Sequence, residues 1–169
     1  MDKQPKQEVW LRGPLPGISP LLQPAAHAML QALEEITEYT SSISDRQLWE
    51  RPATLASIGF HLRHIAGVLD RLYTYADGRQ LSDEQLTCLN SEALYKDGVT
   101  AKQLVENLSV QVDKSISHLS SIAPDTLTET RYVGRKMIPS TVIGLLFHAA
   151  EHMQRHTGQL LATARFLSA

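Results

Sequence analysis

Apolar residues recur at helical spacing in four long stretches of the chain, and each stretch also carries a polar face. Residues at positions i, i+3, i+4 and i+7 lie on one side of an α-helix, so this repeat predicts amphipathic helices. The pattern predicts them over residues 24–40, 53–76, 100–122 and 139–166. Four such helices bury their apolar stripes most simply against one another, which predicts an all-α four-helix bundle.

The segments between and before the long helices have other patterns. Ser82 and Gln85 have the spacing of a capping box, which predicts one short extra helix over residues 82–95. Residues 125–138 lack helical spacing and allow a short hairpin around Gly134. Five of the eight prolines lie within residues 1–24. Because proline interrupts helices, we expect an extended Pro-rich leader over residues 1–23 and the bundle domain over residues 24–169.

Composition narrows the classes of function. The net charge is −2 and the basic residues are scattered, without the basic stripe that nucleic-acid binding needs. No apolar run approaches the roughly 20 residues that span a bilayer, and the N-terminus has no secretory signal. The single cysteine, Cys88, fits a reducing compartment. We therefore expect a cytoplasmic protein that binds neither nucleic acid nor membrane, and its long apolar stripes would allow a homodimer.

Histidines are concentrated in two of the predicted helices. His61 and His64 lie on the second helix, and His148, His152 and His156 lie on the last. Two histidines four residues apart leave the same helix face, about 6 Å apart along the axis. That spacing allows one helix to supply two ligands to a metal ion. Because bundles build metal sites from facing helices, the two segments together predict a metal site.

The last helix can supply its pair of ligands in two ways. His148 and His156 are about 12 Å apart along the helix axis, too far for one ion. The pair is therefore either His148 with His152 or His152 with His156. The first alternative reads H-x-x-E-H, which is similar to the inverted zinc-peptidase motif and would make Glu151 the base.

The last helix also carries a motif that resembles a known family. His152 and His156 are followed closely by the pair Gly158 and Gln159. An H-x-x-x-H followed by Gly-Gln resembles the last-helix signature of the DinB/YfiT-like superfamily.

That family also has a histidine on its second helix, about seven residues after a small residue, and Ser57 followed by His64 fits this pattern. The resemblance extends from about Leu22 to the C-terminus and implies a four-helix bundle. It also implies a divalent metal ion held by three histidines. Three imidazoles suit zinc, nickel, copper or iron, and we expect zinc or nickel. The ligand set carries over to three positions of this chain, His64, His152 and His156. His61, one turn from His64, remains the competing third ligand.

The resemblance implies function as well. Characterised members of the family are low-molecular-weight thiol S-transferases, a thiol-dependent isomerase and proteins described as metal-dependent hydrolases. Three neutral imidazoles leave a coordination position open, where a metal lowers the pKa of water or a thiol. We therefore expect a metal-dependent transferase or hydrolase that acts on a small molecule, with metal-bound water or a thiol as nucleophile. There are two alternatives. One is a non-catalytic bundle in which the metal is a structural ion that joins two helices, and the other is an interaction module whose histidines face solvent.

Other residues are candidates for contacts behind the ligands. Gln159 could hold a ligand ring or a loop, or could simply pack, and Glu151 could be a base or a surface carboxylate in a salt bridge. The full set of these candidates is His61, His148, Gln159 and Glu151. Five arginines could bind the carboxylates of a thiol substrate or could be ordinary surface charges: Arg63, Arg71, Arg131, Arg135 and Arg155.

Overall fold

The computed structural model describes residues 6–168 of the chain. Within these residues the chain forms four long α-helices, one short α-helix and a two-stranded sheet. In chain order they are α1 (Gln23–Thr40), α2 (Ile58–Ala76), α3 (Asp83–Ser91), α4 (Ala101–Ser121), β1 (Thr130–Val133), β2 (Ile138–Thr141) and α5 (Val142–Ser168). The predicted all-α four-helix bundle with one short extra helix is confirmed.

The four long helices form a ring in which each packs against two neighbours. Helix α2 contacts α5 and α4, and α1 contacts the same two helices from the other side. The largest fully buried side chains are Leu22, Met29, Ile36, Leu48, Ile58, Leu62, Ile65, Leu69, Leu108, Leu119, Leu127 and Leu146. None of the helices in residues 6–168 has the length and apolarity needed to cross a bilayer. Because α2 and α5 are neighbours, the two histidine-bearing helices face each other.

Helix α2 begins later than the sequence predicts. Its first turn is capped by Ser57, whose side chain accepts a hydrogen bond from the backbone N–H of Phe60 at 3.1 Å. Ala53 and Thr54 have φ angles of 48° and 67°, which place them outside the helical region. Residues 52–54 instead form a short 3₁₀ turn. The start at residue 53 was therefore wrong by five residues.

The hairpin predicted around Gly134 is present and changes the start of the last helix. Strands β1 and β2 pair antiparallel, and Gly134 has a φ of 65° in the turn between them. Pro139 pairs opposite Tyr132 in this sheet, so the predicted helix start at residue 139 is wrong. Thr141 caps α5 by accepting a hydrogen bond from the N–H of Gly144 at 3.1 Å.

The short helix α3 also differs from its prediction at one end. The capping box of Ser82 and Gln85 opens it as expected, with both reciprocal hydrogen bonds present. The helix ends at Ser91 rather than at residue 95. The next residue, Glu92, turns into the protein and is only 5% exposed.

The N-terminal segment is more closely attached to the bundle than an extended leader would be. Val9–Arg12 form a 3₁₀ turn, and Val9 and Ile18 are buried. The backbone N–H of Val9 donates to the side chain of Gln31 at 2.9 Å. No proline falls within this turn, which explains why a short helical turn survives in a Pro-rich segment. Residues 1–5 of the predicted leader lie outside the described residues, and the domain boundary stays a prediction.

Candidate metal centre

Helices α2 and α5 bring together the three histidines that the sequence predicts as ligands. One ring nitrogen from each of His64, His152 and His156 lies within 4.8 Å of the others. The Nε2 atoms of His64 and His152 are 3.0 Å apart. We call these three residues the histidine trio. Two of the rings therefore come from one helix at i, i+4 spacing and the third from its neighbour, which is the arrangement that the resemblance implies.

His61 lies behind the trio rather than in it. Its side chain is buried, with 3% of the residue exposed, and its Nδ1 is 3.0 Å from the Nδ1 of His156. With its Nδ1 in this contact, His156 has Nε2 left for an ion. The geometry therefore favours His64 over His61 as the third ligand. It also places the rings between α2 and α5, where each is only partly exposed, against the alternative of solvent-facing histidines.

Burial keeps three rings of the cluster, His61, His152 and His156, neutral near neutral pH. Desolvation, with a smaller contribution from the neighbouring His64, lowers the pKa of His152 to about 4 and that of His156 to about 3. Desolvation and His64 likewise lower the pKa of His61 to about 4. A neutral imidazole has the lone pair that binds a metal, whereas an imidazolium does not. His152 and His156, the two ligands from α5, are thus held in the form that coordination requires.

The trio also offers nitrogen atoms of the kind that bind a metal ion. The Nδ1 of His152 is buried and makes no hydrogen bond to any described residue, while its Nε2 faces the Nε2 of His64. Imidazole nitrogens suit zinc, nickel, copper and iron. Three such nitrogens on two adjacent helices fit a divalent ion. The residues that would hold it are His64, His152 and His156.

A second group overlaps the trio and corresponds to the H-x-x-E-H alternative. Single ligand atoms of His148, Glu151 and His152 also lie within 4.8 Å of one another. The Glu151 carboxylate is ion-paired with Arg155, which lowers the pKa of Glu151 and makes it a weak base. The side chain of His148 is 51% exposed. This group is the less suitable for an ion and for general-base chemistry.

Glu92 contacts the trio, although it was not among the predicted site residues. Its Oε2 is 2.7 Å from the Nδ1 of His64, and its Oε1 is 2.6 Å from an amino group of the Arg71 guanidinium. Glu92 follows the end of α3, 28 residues from His64, so no local spacing connects the two. The sequence does carry one indication of a contact on this side of α2, because His64, Gly67 and Arg71 share one helix face.

Aromatic packing fixes the trio from the α2 side. The ring of Phe60 stacks on His64 with a centroid distance of 5.1 Å and an interplanar angle of 15°. It also makes edge contacts with His61 and His156, at centroid distances of 5.4 and 6.3 Å. Stacking of this kind limits rotation of the imidazole rings. Phe60 was not among the predicted site residues.

The remaining predicted residues contribute less to the cluster. Gln159 is exposed, and its side chain makes no hydrogen bond to the described part of the chain. Arg63 donates to the backbone oxygens of Glu92 and Leu94, at 3.3 and 2.9 Å. Arg131 binds Glu129 and the Ala76 carbonyl, and Arg135 is exposed in the hairpin turn. Of the five arginines predicted to bind a thiol's carboxylates, four already bind protein groups: Arg63, Arg71, Arg131 and Arg155.

Three histidines converge between two helices of a four-helix bundle. The protein is therefore of the class of helical bundles with a candidate metal centre. The chain belongs to the DinB superfamily, whose family model matches residues 28–160. A solved structure described as the conserved protein of locus from Enterococcus faecalis is 19% identical. The alignment covers 85% of this chain and 95% of that one, with a TM-score of 0.65, so the likeness shows the fold alone. No curated protein matches the sequence.

Proposed function

We propose that this protein is a metal-dependent enzyme, of the thiol S-transferase or hydrolase type, that acts on a small molecule. The observation that carries the proposal is the convergence of three ring nitrogens, from His64, His152 and His156, within 4.8 Å. Membership of the DinB superfamily supports the metal-binding part of the proposal. Zinc or nickel is the proposed ion, and a low-molecular-weight thiol is the proposed co-substrate.

The protein's own residues would orient the reaction. Helices α2 and α5 hold the ligand rings, Phe60 stacks on His64, and burial keeps His152 and His156 neutral. The three residues of the trio are each partly exposed, and the proposal requires that a small molecule reach them from this exposed side. A divalent ion at the trio would lower the pKa of a water or thiol in its open position and supply a nucleophile near neutral pH. The net charge of −2 favours a small-molecule substrate over nucleic acid. A cytoplasmic location and a homodimer remain part of the proposal.

Metal content tests the site directly. We expect one equivalent of zinc or nickel in the purified protein and less than a tenth of that in His64→Ala and His152→Ala, measured by mass spectrometry. His27→Ala is the matched control, because His27 contacts the Gly13 carbonyl away from the trio. Full metal content in both trio variants would refute the ligand assignment.

Turnover tests the catalytic part of the proposal. A panel of small thiols with electrophilic acceptors, and of small esters and amides for hydrolysis, should reveal an activity that a chelator abolishes. Adding zinc or nickel back should restore it, and His64→Ala should lack it. Inactivity of the metal-loaded protein across the whole panel would count against an enzyme.

The second candidate is a bundle in which the ion only joins two helices. This reading is favoured by the position of the trio, which connects α2 to α5 across 88 residues between His64 and His152. A structural ion should give a large loss of thermal stability on chelation, with no exchangeable water or thiol at the metal. Cobalt-substituted protein distinguishes the two readings, because an added thiol changes the cobalt absorption spectrum only where it can coordinate.

A further inference from the structure

Glu92 is a buried carboxylate whose two oxygens have different partners. The residue is only 5% exposed, and burial of a carboxylate is unfavourable unless hydrogen bonds and an opposite charge compensate it. Oε1 accepts a hydrogen bond from Arg71 at 2.6 Å, and Oε2 contacts the Nδ1 of His64 at 2.7 Å. Arg71 is itself buried, at 8% exposure. Arg71 supplies the compensating charge, so the second oxygen is left for the histidine.

The contact with Glu92 decides which nitrogen of His64 carries the proton. A carboxylate oxygen accepts hydrogen bonds, so the Nδ1 of a neutral His64 must be the donor. The lone pair of that ring then lies on Nε2, which is 3.0 Å from the Nε2 of His152. Glu92 therefore directs the metal-binding nitrogen of His64 towards the trio.

Gly67 makes the approach of Glu92 to α2 sterically feasible. It lies between His64 and Arg71 on the same helix face. A Cβ at residue 67 would collide with the Oε1 of Glu92 and would lie 2.5 Å from the Arg71 guanidinium. Glycine is one of the least favourable residues in a helix interior, so its presence here indicates a use for the space.

We propose that Glu92 is the positioning residue of the metal centre, held by Arg71 and admitted by Gly67, and that it sets the tautomer and orientation of His64. The proposal rests on the metal site proposed above. It adds that the end of α3, which supplies Glu92 but no member of the trio, affects how tightly the trio binds its ion. Carboxylates behind a histidine ligand raise the basicity of the ring and fix its direction.

Zinc affinity of Glu92→Gln tests the role of the carboxylate. The amide has a single oxygen and cannot accept from both His64 and Arg71, so we expect zinc affinity to fall roughly 10- to 100-fold in competition with a chromophoric chelator. The control is Glu34→Gln, which removes another carboxylate paired with an arginine, Arg12 at 2.6 Å. It should bind zinc as the unmodified protein does. An affinity of folded Glu92→Gln within threefold of the unmodified protein would overturn the proposal.

Gly67→Ala tests the same assignment without removing any functional group. The added methyl should displace the Glu92 carboxylate and weaken zinc binding. Gly158→Ala is its control, because a Cβ there meets no described atom within 4 Å. We expect reduced zinc affinity in Gly67→Ala only, and unchanged affinity in a folded Gly67→Ala would contradict the proposed approach.

The tautomer of His64 can be read without any metal. Nitrogen-15 NMR of the metal-free, unmodified protein, recorded where the His64 ring carries a single proton, should show that proton on Nδ1. This readout is independent of whether Glu92→Gln folds. A proton on Nε2 would overturn the positioning role. If the unmodified protein bound no zinc at all, the proposed function would fail. The measured tautomer would still show whether the Nδ1 of His64 donates to Glu92.

Discussion

Gly59 lies in the first turn of α2, where an added methyl group would meet the indole ring of Trp49. A Cβ at residue 59 would stand 2.8 and 2.9 Å from two carbons of that ring. Favourable carbon–carbon contact occurs at about 3.5–4.0 Å, so the ring would have to move by roughly 1 Å. We predict that Gly59→Ala destabilises the fold although alanine is the better helix former.

Two opposing effects set the magnitude of this prediction. Replacing glycine by alanine inside a helix contributes about 0.8–1.0 kcal/mol of stability. Overpacking a well-filled contact costs about 1–3 kcal/mol. Gly59→Ala should therefore lose up to about 2 kcal/mol. Gly158→Ala, which meets no described atom within 4 Å, should gain about 1 kcal/mol from helix propensity alone.

Urea unfolding of the metal-free protein, followed by circular dichroism, measures both variants in one series. Using the metal-free form separates packing from ion binding, because Gly59 is two residues from His61. The double variant Trp49→Ala/Gly59→Ala completes the cycle: with the ring absent, the alanine should be stabilising. If Gly59→Ala were as stabilising as Gly158→Ala while Trp49 is present, the packing argument would be refuted.

Three further predictions address protonation, metal linkage and the core. The folded pKa values of His152 and His156, about 4 and about 3, lie below their ordinary value of 6.5. Between the folded pKa values and 6.5, the unfolded chain therefore binds more protons than the folded protein does. The metal-free protein should lose stability as pH falls from 7 towards 4. A urea midpoint that stays constant or rises on acidification would contradict this. Zinc at 100 times its Kd should stabilise the protein by about 2.7 kcal/mol and raise the Tm by roughly 5–10 °C, measured by calorimetry; no shift in Tm, or an equal shift in His152→Ala, would contradict it. Leu146→Ala removes a fully buried side chain of α5 and should cost about 2–5 kcal/mol in urea unfolding, whereas exposed Leu94→Ala should cost far less; similar losses would contradict the assignment of the core.

Helix number and order could be predicted from the sequence, because apolar spacing reports directly on the buried face of each helix. Three of the boundaries could not: the starts of α2 and α5 and the end of α3. Pro139 suits the first turn of a helix, but it also suits a strand edge, and pairing with β1 decided the outcome. Likewise, the positive φ angles of Ala53 and Thr54 delay the start of α2, and neither residue type signals such a conformation.

The site could be predicted only as far as a single helix determines it. The spacing of His152 and His156 fixes their common face, whereas His61 and His64 differ by only about 60° around α2. Both could face α5, and only packing against that helix selects His64 for the trio. Glu92 is positioned by the tertiary placement of α3, and spacing along the chain carries no information about such a contact.

The charges around the trio bear on whether an ion there would be structural or catalytic. The two carboxylates that contact this cluster, Glu92 and Glu151, each already face an arginine, Arg71 and Arg155 respectively. A divalent ion held by neutral imidazoles would therefore keep most of its charge in a half-buried site. Because uncompensated buried charge is unfavourable, such a site favours an anionic partner for the ion. A thiolate and a hydroxide both meet this requirement, so the charge of the site is compatible with the proposed transferase and with the proposed hydrolase alike.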